Sequence, residues 1–169
     1  TPIVKTRYLQ YINNEEQPYG ENVIVAIMCH TGYNVEDAVL INESALERGL
    51  FRTTYYTTYD IQEEKEYRND TVVKEKIIMN IENNNTIVGK KPDFDYSHLD
   101  DNGLIQEGTE VNDEMILIGC SSLLENGNRK DESKVPKKGQ KGFVDKCFIT
   151  TGEEGERIAK IRIRDERIP

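Results

Sequence analysis

Two adjacent carboxylates, Glu36 and Asp37, lie in the run Gly32-Tyr33-Asn34-Val35-Glu36-Asp37-Ala38. Oxygen donors held at a fixed place are what a hard divalent cation such as magnesium needs. The apolar run Val23-Ile24-Val25-Ala26-Ile27-Met28 precedes them, and Val39-Leu40-Ile41 follows. Rigid apolar flanks would hold the short link between them in place. On dipeptide content alone a solvated turn is the better account, because Glu-Asp pairs are common on surfaces. Gly32, Tyr33 and Asn34 read as a turn that positions the carboxylates rather than reacting. Glycine supplies an unusual backbone angle there, and tyrosine packs.

A second chemistry-bearing stretch is basic. Residues 129–146 hold seven Lys or Arg and three Asp or Glu in a chain of net charge −9. Lys137, Lys138 and Lys141 are its candidates for phosphate contact with a nucleic acid; the other reading, to which the residues alone lean, is a solvated loop. Arg162 and Arg164 alternate with apolar residues on the polar side of an expected strand. Nucleic-acid contact and pairing with Asp165 or Glu166 are both open for them. Tyr55, Tyr56 and Tyr59 are the pattern for base stacking, but an aromatic strand packed in a small β domain explains them more simply. His30 and His98 are too far apart to form a ligand cluster. Cys29, Cys120 and Cys147 are widely spaced, each in or beside an apolar run, and no Cys-x-x-Cys spacing exists. Buried free thiols in a reducing compartment are expected, not a zinc site.

The elements that must position these groups are mostly short strands. Residues 6–11 suit a short helix. The segments 22–29 and 38–42 read as strands buried on both faces, being nearly all apolar. Ser44 to Gly49 suits one helical turn, with Ser44 as N-cap and Gly49 closing it. Thr53 to Tyr59 has strong strand composition. Residues 61–70 read as a charged loop or frayed helix, and 75–81 as a strand. Residues 93–102 read as an acidic loop, and 115–118 as a buried strand. The stretch 125–140 lacks apolar periodicity and reads as a long exposed loop, disordered at the extreme. Residues 143–150 and 158–164 form two more strands, joined through the Gly152–Gly155 turn; the second alternates apolar and basic positions.

The 169 residues suffice for one full domain or two small ones. With 36% hydrophobic and 31% charged residues the chain reads as globular and polar. Its acidity argues against sequence-independent DNA binding through a basic face. No apolar stretch approaches 18 residues, so no transmembrane helix and no membrane partner are expected. The first residues hold no signal-peptide core and no Met, so Thr1 is not expected to be a natural start.

Three blocks carry a family resemblance: Gly20-Glu21-Asn22-Val23-Ile24-Val25-Ala26, then Gly32 to Ala38, then Glu47-Arg48-Gly49-Leu50-Phe51-Arg52. In that order and spacing they resemble the second-largest (β-type) subunit of multisubunit DNA-directed RNA polymerases. Leu99 to Ile105, Ile116 to Gly119, Gly142 to Asp145, and Ile161 to Arg164 before Arg167-Ile168-Pro169 extend the resemblance over essentially the whole chain. The wording Cys29-His30-Thr31-Gly32-Tyr33-Asn34 is closer to the eukaryotic, archaeal and large-DNA-virus branch.

The resemblance implies part of the hybrid-binding β-barrel region at 1–52, followed by a β-rich wall, or flap, domain at 53–169. The fold class expected is thus mostly β with short helices. It implies that Glu36 and Asp37, Asp37 above all, approach the second, nucleotide-borne Mg2+ of an active centre completed by the largest subunit. The implied partners are that subunit and other polymerase subunits, the DNA template, the RNA–DNA hybrid, ribonucleoside triphosphates and initiation factors. The implied location is the nucleus or cytoplasm, or a viral factory or virion. The family continues past Ile168-Pro169 with a Gly-Asp-Lys-Phe block, so a fragment is expected; Gly139-Gln140-Lys141-Gly142 resembles the end of that block only by coincidence. The rival reading is a structural module that docks initiation factors or neighbouring subunits. A free-standing metal-dependent phosphotransferase is disfavoured, since no third carboxylate, base or phosphate loop stands at a helpful spacing.

Overall fold

A computed structural model of the chain describes residues 3–169. The chain forms two units, one running up to Thr53 together with Arg167–Pro169, the other Thr54–Glu166. It is mostly β, with two short helices.

The first unit holds α1 (Tyr8–Tyr11) and α2 (Glu43–Glu47). The N-cap of α2 is Asn42, whose side chain accepts from the Ala45 N–H at 2.9 Å, two residues before the expected Ser44. Asn is as good a cap as Ser, and here it stands where the chain is still extended. The helix closes as expected at Gly49, whose φ of 104° is costly for other residues. Leu50 N–H reaches Ala45 C=O and Gly49 N–H reaches Leu46 C=O, the paired bonds of a Schellman ending.

The two apolar runs of this unit are not strands. Residues 22–29 and 38–42 have no ladder partner among the described residues, and Ile24 and Ile27 stand fully open to solvent. A strand exists only when a second one takes up its N–H and C=O groups, and composition cannot supply that neighbour. Cys29 shares this exposure, against the expectation of a buried thiol.

The second unit contains two antiparallel-rich sheets. Its strands are β1 (Thr53–Gln62), β2 (Glu64–Arg68), β3 (Thr71–Ile78), β4 (Ile87–Val88), β5 (Glu110–Val111), β6 (Cys120–Leu123), β7 (Arg129–Asp131), β8 (Gly142–Thr151) and β9 (Arg157–Arg167). One sheet has the order β1-β9-β8-β5 and the other β2-β3-β6-β7-β4. Alternation sends Ala159, Ile161 and Ile163 of β9 into a core with Val144, Ile105, Ile116, Leu117 and Ile118, all nearly inaccessible. Each such aliphatic side chain contributes about 1.5–3 kcal/mol by leaving water.

Two expectations fail here for one reason: polar pairing does work that apolar periodicity does not reveal. Residues 61–70 are not a loop but the end of β1 and all of β2, turned into β3 by Asn69 and Asp70 at φ 49° and 58°. Two consecutive left-handed residues are what a tight hairpin turn of matching twist requires. Every residue of β2 is exposed, and cross-strand pairs hold it: Lys74–Glu64 at 2.6 Å and Lys65–Glu75 at 3.2 Å. The hydrogen bond from Lys74, then its charge, lowers the Glu64 pKa. Residues 125–140 are likewise ordered. Arg129 on β7 bonds Glu75 and, at 3.1 Å, Ser121 Oγ, while buried Asp131 accepts from Tyr96 O–H at 2.5 Å and Ser133 N–H at 2.8 Å. Residues 115–118 are buried as expected but held by single bridges, and the strand proper, β6, starts at Cys120.

Burial pushes the Cys120 thiol up to about 12 and raises that of Cys147. Alkylation at about pH 8 in the native chain should therefore mark Cys29 first, Cys147 more slowly and Cys120 only after denaturant is added. Mass spectrometry of the labelled peptides checks the order, and early labelling of Cys120 would refute the packing described.

Candidate functional site

The acidic pair sits on the second of two successive turns. The first is His30-Thr31-Gly32-Tyr33, closed by the Tyr33 N–H to His30 C=O bond at 3.2 Å, with Thr31 and Gly32 at φ 55° and 74°. A β-branched residue in that region is uncommon and is tolerated only where the surroundings dictate it. Asn34 supplies the bracing. Its Oδ1 accepts from the His30 N–H at 3.0 Å, and its Nδ2 donates to the Met28 C=O at 2.6 Å. The second turn, Val35-Glu36-Asp37-Ala38, is closed by Ala38 N–H to Val35 C=O at 3.2 Å, with Glu36 at φ 57°.

Glu36 and Asp37 thus occupy the two central positions of a tight turn. Both are exposed, and neither carboxylate has a hydrogen-bond or ion-pair partner among the described residues. Among the described residues no group of three His, Cys, Asp or Glu is placed to hold a metal ion. Two adjacent carboxylates suit magnesium as part of its oxygen shell, because that ion keeps several waters and takes one or two protein carboxylates. The donor set fits a shared ion and does not fit a site closed by this chain alone.

Sequence reasoning missed one anchor of this unit. Glu21 Oε2 accepts the Phe51 N–H at 3.1 Å, across 30 residues, with Phe51 itself at φ 56°. No local pattern signals a pairing of that separation.

Lys137, Lys138 and Lys141 lie in the other unit. They are exposed on a built turn, and no ion pair among the described residues involves them. The turn is braced by buried Tyr59, whose hydroxyl accepts the Lys137 N–H at 3.1 Å and donates to Gln140 Oε1 at 2.8 Å. Gly139 N–H adds a bond to Asp113 Oδ2 at 3.0 Å. Tyr59 packs, as its strand composition suggested, whereas Tyr55 and Tyr56 remain half exposed. Arg162 pairs with neither Asp165 nor Glu166. Its Nε donates to Asp145 Oδ2 at 2.6 Å on the adjacent strand, and its guanidinium lies 5.2 Å from the Tyr56 ring centre.

The family model described as RNA polymerase Rpb2, domain 6 matches residues 1–169. The chain belongs to that family. DNA-directed RNA polymerase II subunit RPB2 of Schizosaccharomyces pombe is 37% identical to this Rpb2-type segment, over 99% of the chain and 14% of the relative. Subunit Rpo2 of the Sulfolobus acidocaldarius polymerase is 36% identical over 99% of the chain and 15% of its own length. RNA polymerase II subunit 2 of Arabidopsis thaliana is 34% identical, again over 99% of the chain and 14% of the relative. The Rpb2-type segment therefore spans about a seventh of the length of these eukaryotic and archaeal relatives.

Removing the Tyr59 hydroxyl should loosen the lysine turn. Tyr59→Phe is expected to lower stability by about 1–2 kcal/mol and to speed amide hydrogen exchange at 137–140 before other positions in its unit. Uniform or unchanged exchange would show that the hydroxyl is not the brace.

Proposed function

We propose that this chain works as part of the active centre and wall of a DNA-directed RNA polymerase, in templated nucleotidyl transfer from ribonucleoside triphosphates. The observation that carries the reading is the pair of unpartnered carboxylates on the Asn34-braced turn, in a chain that matches the Rpb2 family end to end. Residues up to Arg52 would belong to the hybrid-binding region and residues 53–169 to the wall beside the RNA–DNA hybrid and RNA exit path.

Asp37 and Glu36 would hold the magnesium that accompanies the incoming triphosphate. That ion, when bound, neutralises charge on the pyrophosphate leaving group and aligns the nucleotide. The two carboxylates present oxygen donors without a competing cation of their own chain. Gly32, Tyr33 and Asn34 set the turn from which they project. The remaining donors would come from the triphosphate, water and the largest subunit, so the isolated chain would be inert. Lys137, Lys138 and Lys141 are proposed as phosphate contacts for RNA. The compartment proposed is the one in which the assembled polymerase works, the nucleus for a chain like its polymerase II relatives.

A second reading is a docking module for initiation factors or neighbouring polymerase subunits. The uncovered apolar residues of 22–29 and 38–42 favour it, since side chains such as Ile24 and Ile27 gain by burial against a partner.

In the assembled polymerase, Asp37→Ala is expected to slow elongation at low magnesium by about tenfold or more, with partial recovery as magnesium rises. An elongation rate equal to that of the parent enzyme at every magnesium level would remove the metal role and leave the docking reading.

A further inference from the structure

The β1-β9-β8-β5 sheet turns one face to the core and leaves the other bare. On β8 and β9 the cross-strand pairs of the bare face are Phe143 with Arg164, Lys146 with Arg162, and Phe148 with Lys160. Directly opposed residues of an antiparallel pair project to the same side. Phe143, Phe148 and Tyr56 are 45%, 50% and 52% exposed, which is unusual for rings on a strand whose other face is closed. Tyr56 joins the face through its cation–π contact with Arg162. Each of these rungs therefore offers one ring and at least one cation, at a spacing of about 7 Å along the strands.

Charge on this face is ordered. The cations stand on the two central strands, β9 and β8. Asp145 is occupied by Arg162, and no ion pair among the described residues joins Lys146, Lys160 or Arg164. The acids Asp60 and Glu110 lie on the outer strands β1 and β5, and Asp165 and Glu166 follow Arg164 at the end of β9. A positive stripe from Lys160 to Arg164 thus runs between acidic edges in a chain of net charge −9.

We infer that this face is a platform for single-stranded nucleic acid, bases on the rings and phosphates on the central cations. An apolar partner would cover the rings but strand three unpaired charges away from water, at high cost. An acidic peptide would satisfy the cations and leave the rings idle. A polymer that alternates a π-face with an anion uses both, and stacking on strand aromatics with a cationic track is how sheet platforms hold single strands. The site is separate from the Glu36–Asp37 turn and from the lysine turn, and it stands whether or not the carboxylates bind metal.

The test uses the full 169-residue chain and a fluorescein-labelled oligouridylate of about twelve nucleotides, followed by anisotropy between about 50 and 200 mM salt. Phe148→Leu, which keeps the bulk and removes the π-face, should weaken binding about fivefold or more at every salt level. Lys160→Gln with Arg164→Gln should flatten the salt slope by roughly 1.4, the release expected for two single-strand phosphates. All three side chains point outward, and circular dichroism confirms that the variants fold. The inference is overturned if the oligonucleotide does not bind, or if polyglutamate displaces it equally well from parent chain and Phe148→Leu. It also fails if replacing Lys137, Lys138 and Lys141 with Gln abolishes binding while the sheet-face variants leave it unchanged.

Discussion

The ladder between β8 and β9 is the constraint on which the second unit turns. Its inner positions, Val144, Cys147 and Ile149 against Ile163, Ile161 and Ala159, close the core, and its outer positions carry cations and rings. Strict alternation means that a slip of one residue would bury Arg162 and Lys160 and expose the isoleucines. The register is therefore held by the cost of burying charge as firmly as by the gain from burying Ile161 and Ile163. The bulge between Val144 and Lys146 lets Asp145 reach Arg162 on the outer face, so the one acid of β8 is neutralised in place.

Around that ladder, polar side chains complete what a small apolar core leaves open. The β2–β3 hairpin has no buried residue on β2, and its cohesion comes from opposed charges and a two-residue turn. On the same sheet, Arg129, Glu75 and Ser121 form one linked set, and Asp131, Tyr96 and Ser133 form another. Burial and the hydrogen bond to Asp131 raise the Tyr96 hydroxyl to about 12, so it stays a donor throughout the neutral range. Every fully buried side-chain nitrogen and oxygen among the described residues has a partner, which is what makes such polar interiors stable.

The first unit shows the opposite economy. Its turns are specified by Asn34, Asn42, Gly49 and Glu21, all through short hydrogen bonds, while its most apolar residues face solvent. The turn that carries Glu36 and Asp37 is thus locally determined, and the apolar runs on either side of it have no ladder partner among the described residues. The chain belongs to the Rpb2 family and spans 14% to 15% of the length of these relatives.

Alternation in 158–164, the turn at 152–155, the aromatic strand after Thr53 and the helix end at Gly49 were legible because each rests on residues a few positions apart. The family to which the chain belongs was legible in the same way, from ordered short motifs. Strand status at 22–29 and 38–42 was not, because a strand is a relation between two segments and one segment alone cannot state it. Nor were the β2 hairpin, the order in 125–140 or the pairing of Arg162 with Asp145. Those rest on charge and hydrogen-bond pairs that only folding brings within reach. The sequence by itself determined which residues could do chemistry and which faces were apolar. The tertiary structure alone decided which of those faces were covered, and it gathered Tyr56, Phe148 and Lys160 from three strands onto one open surface, because side-chain neighbours across a sheet are set by register and not by distance along the chain.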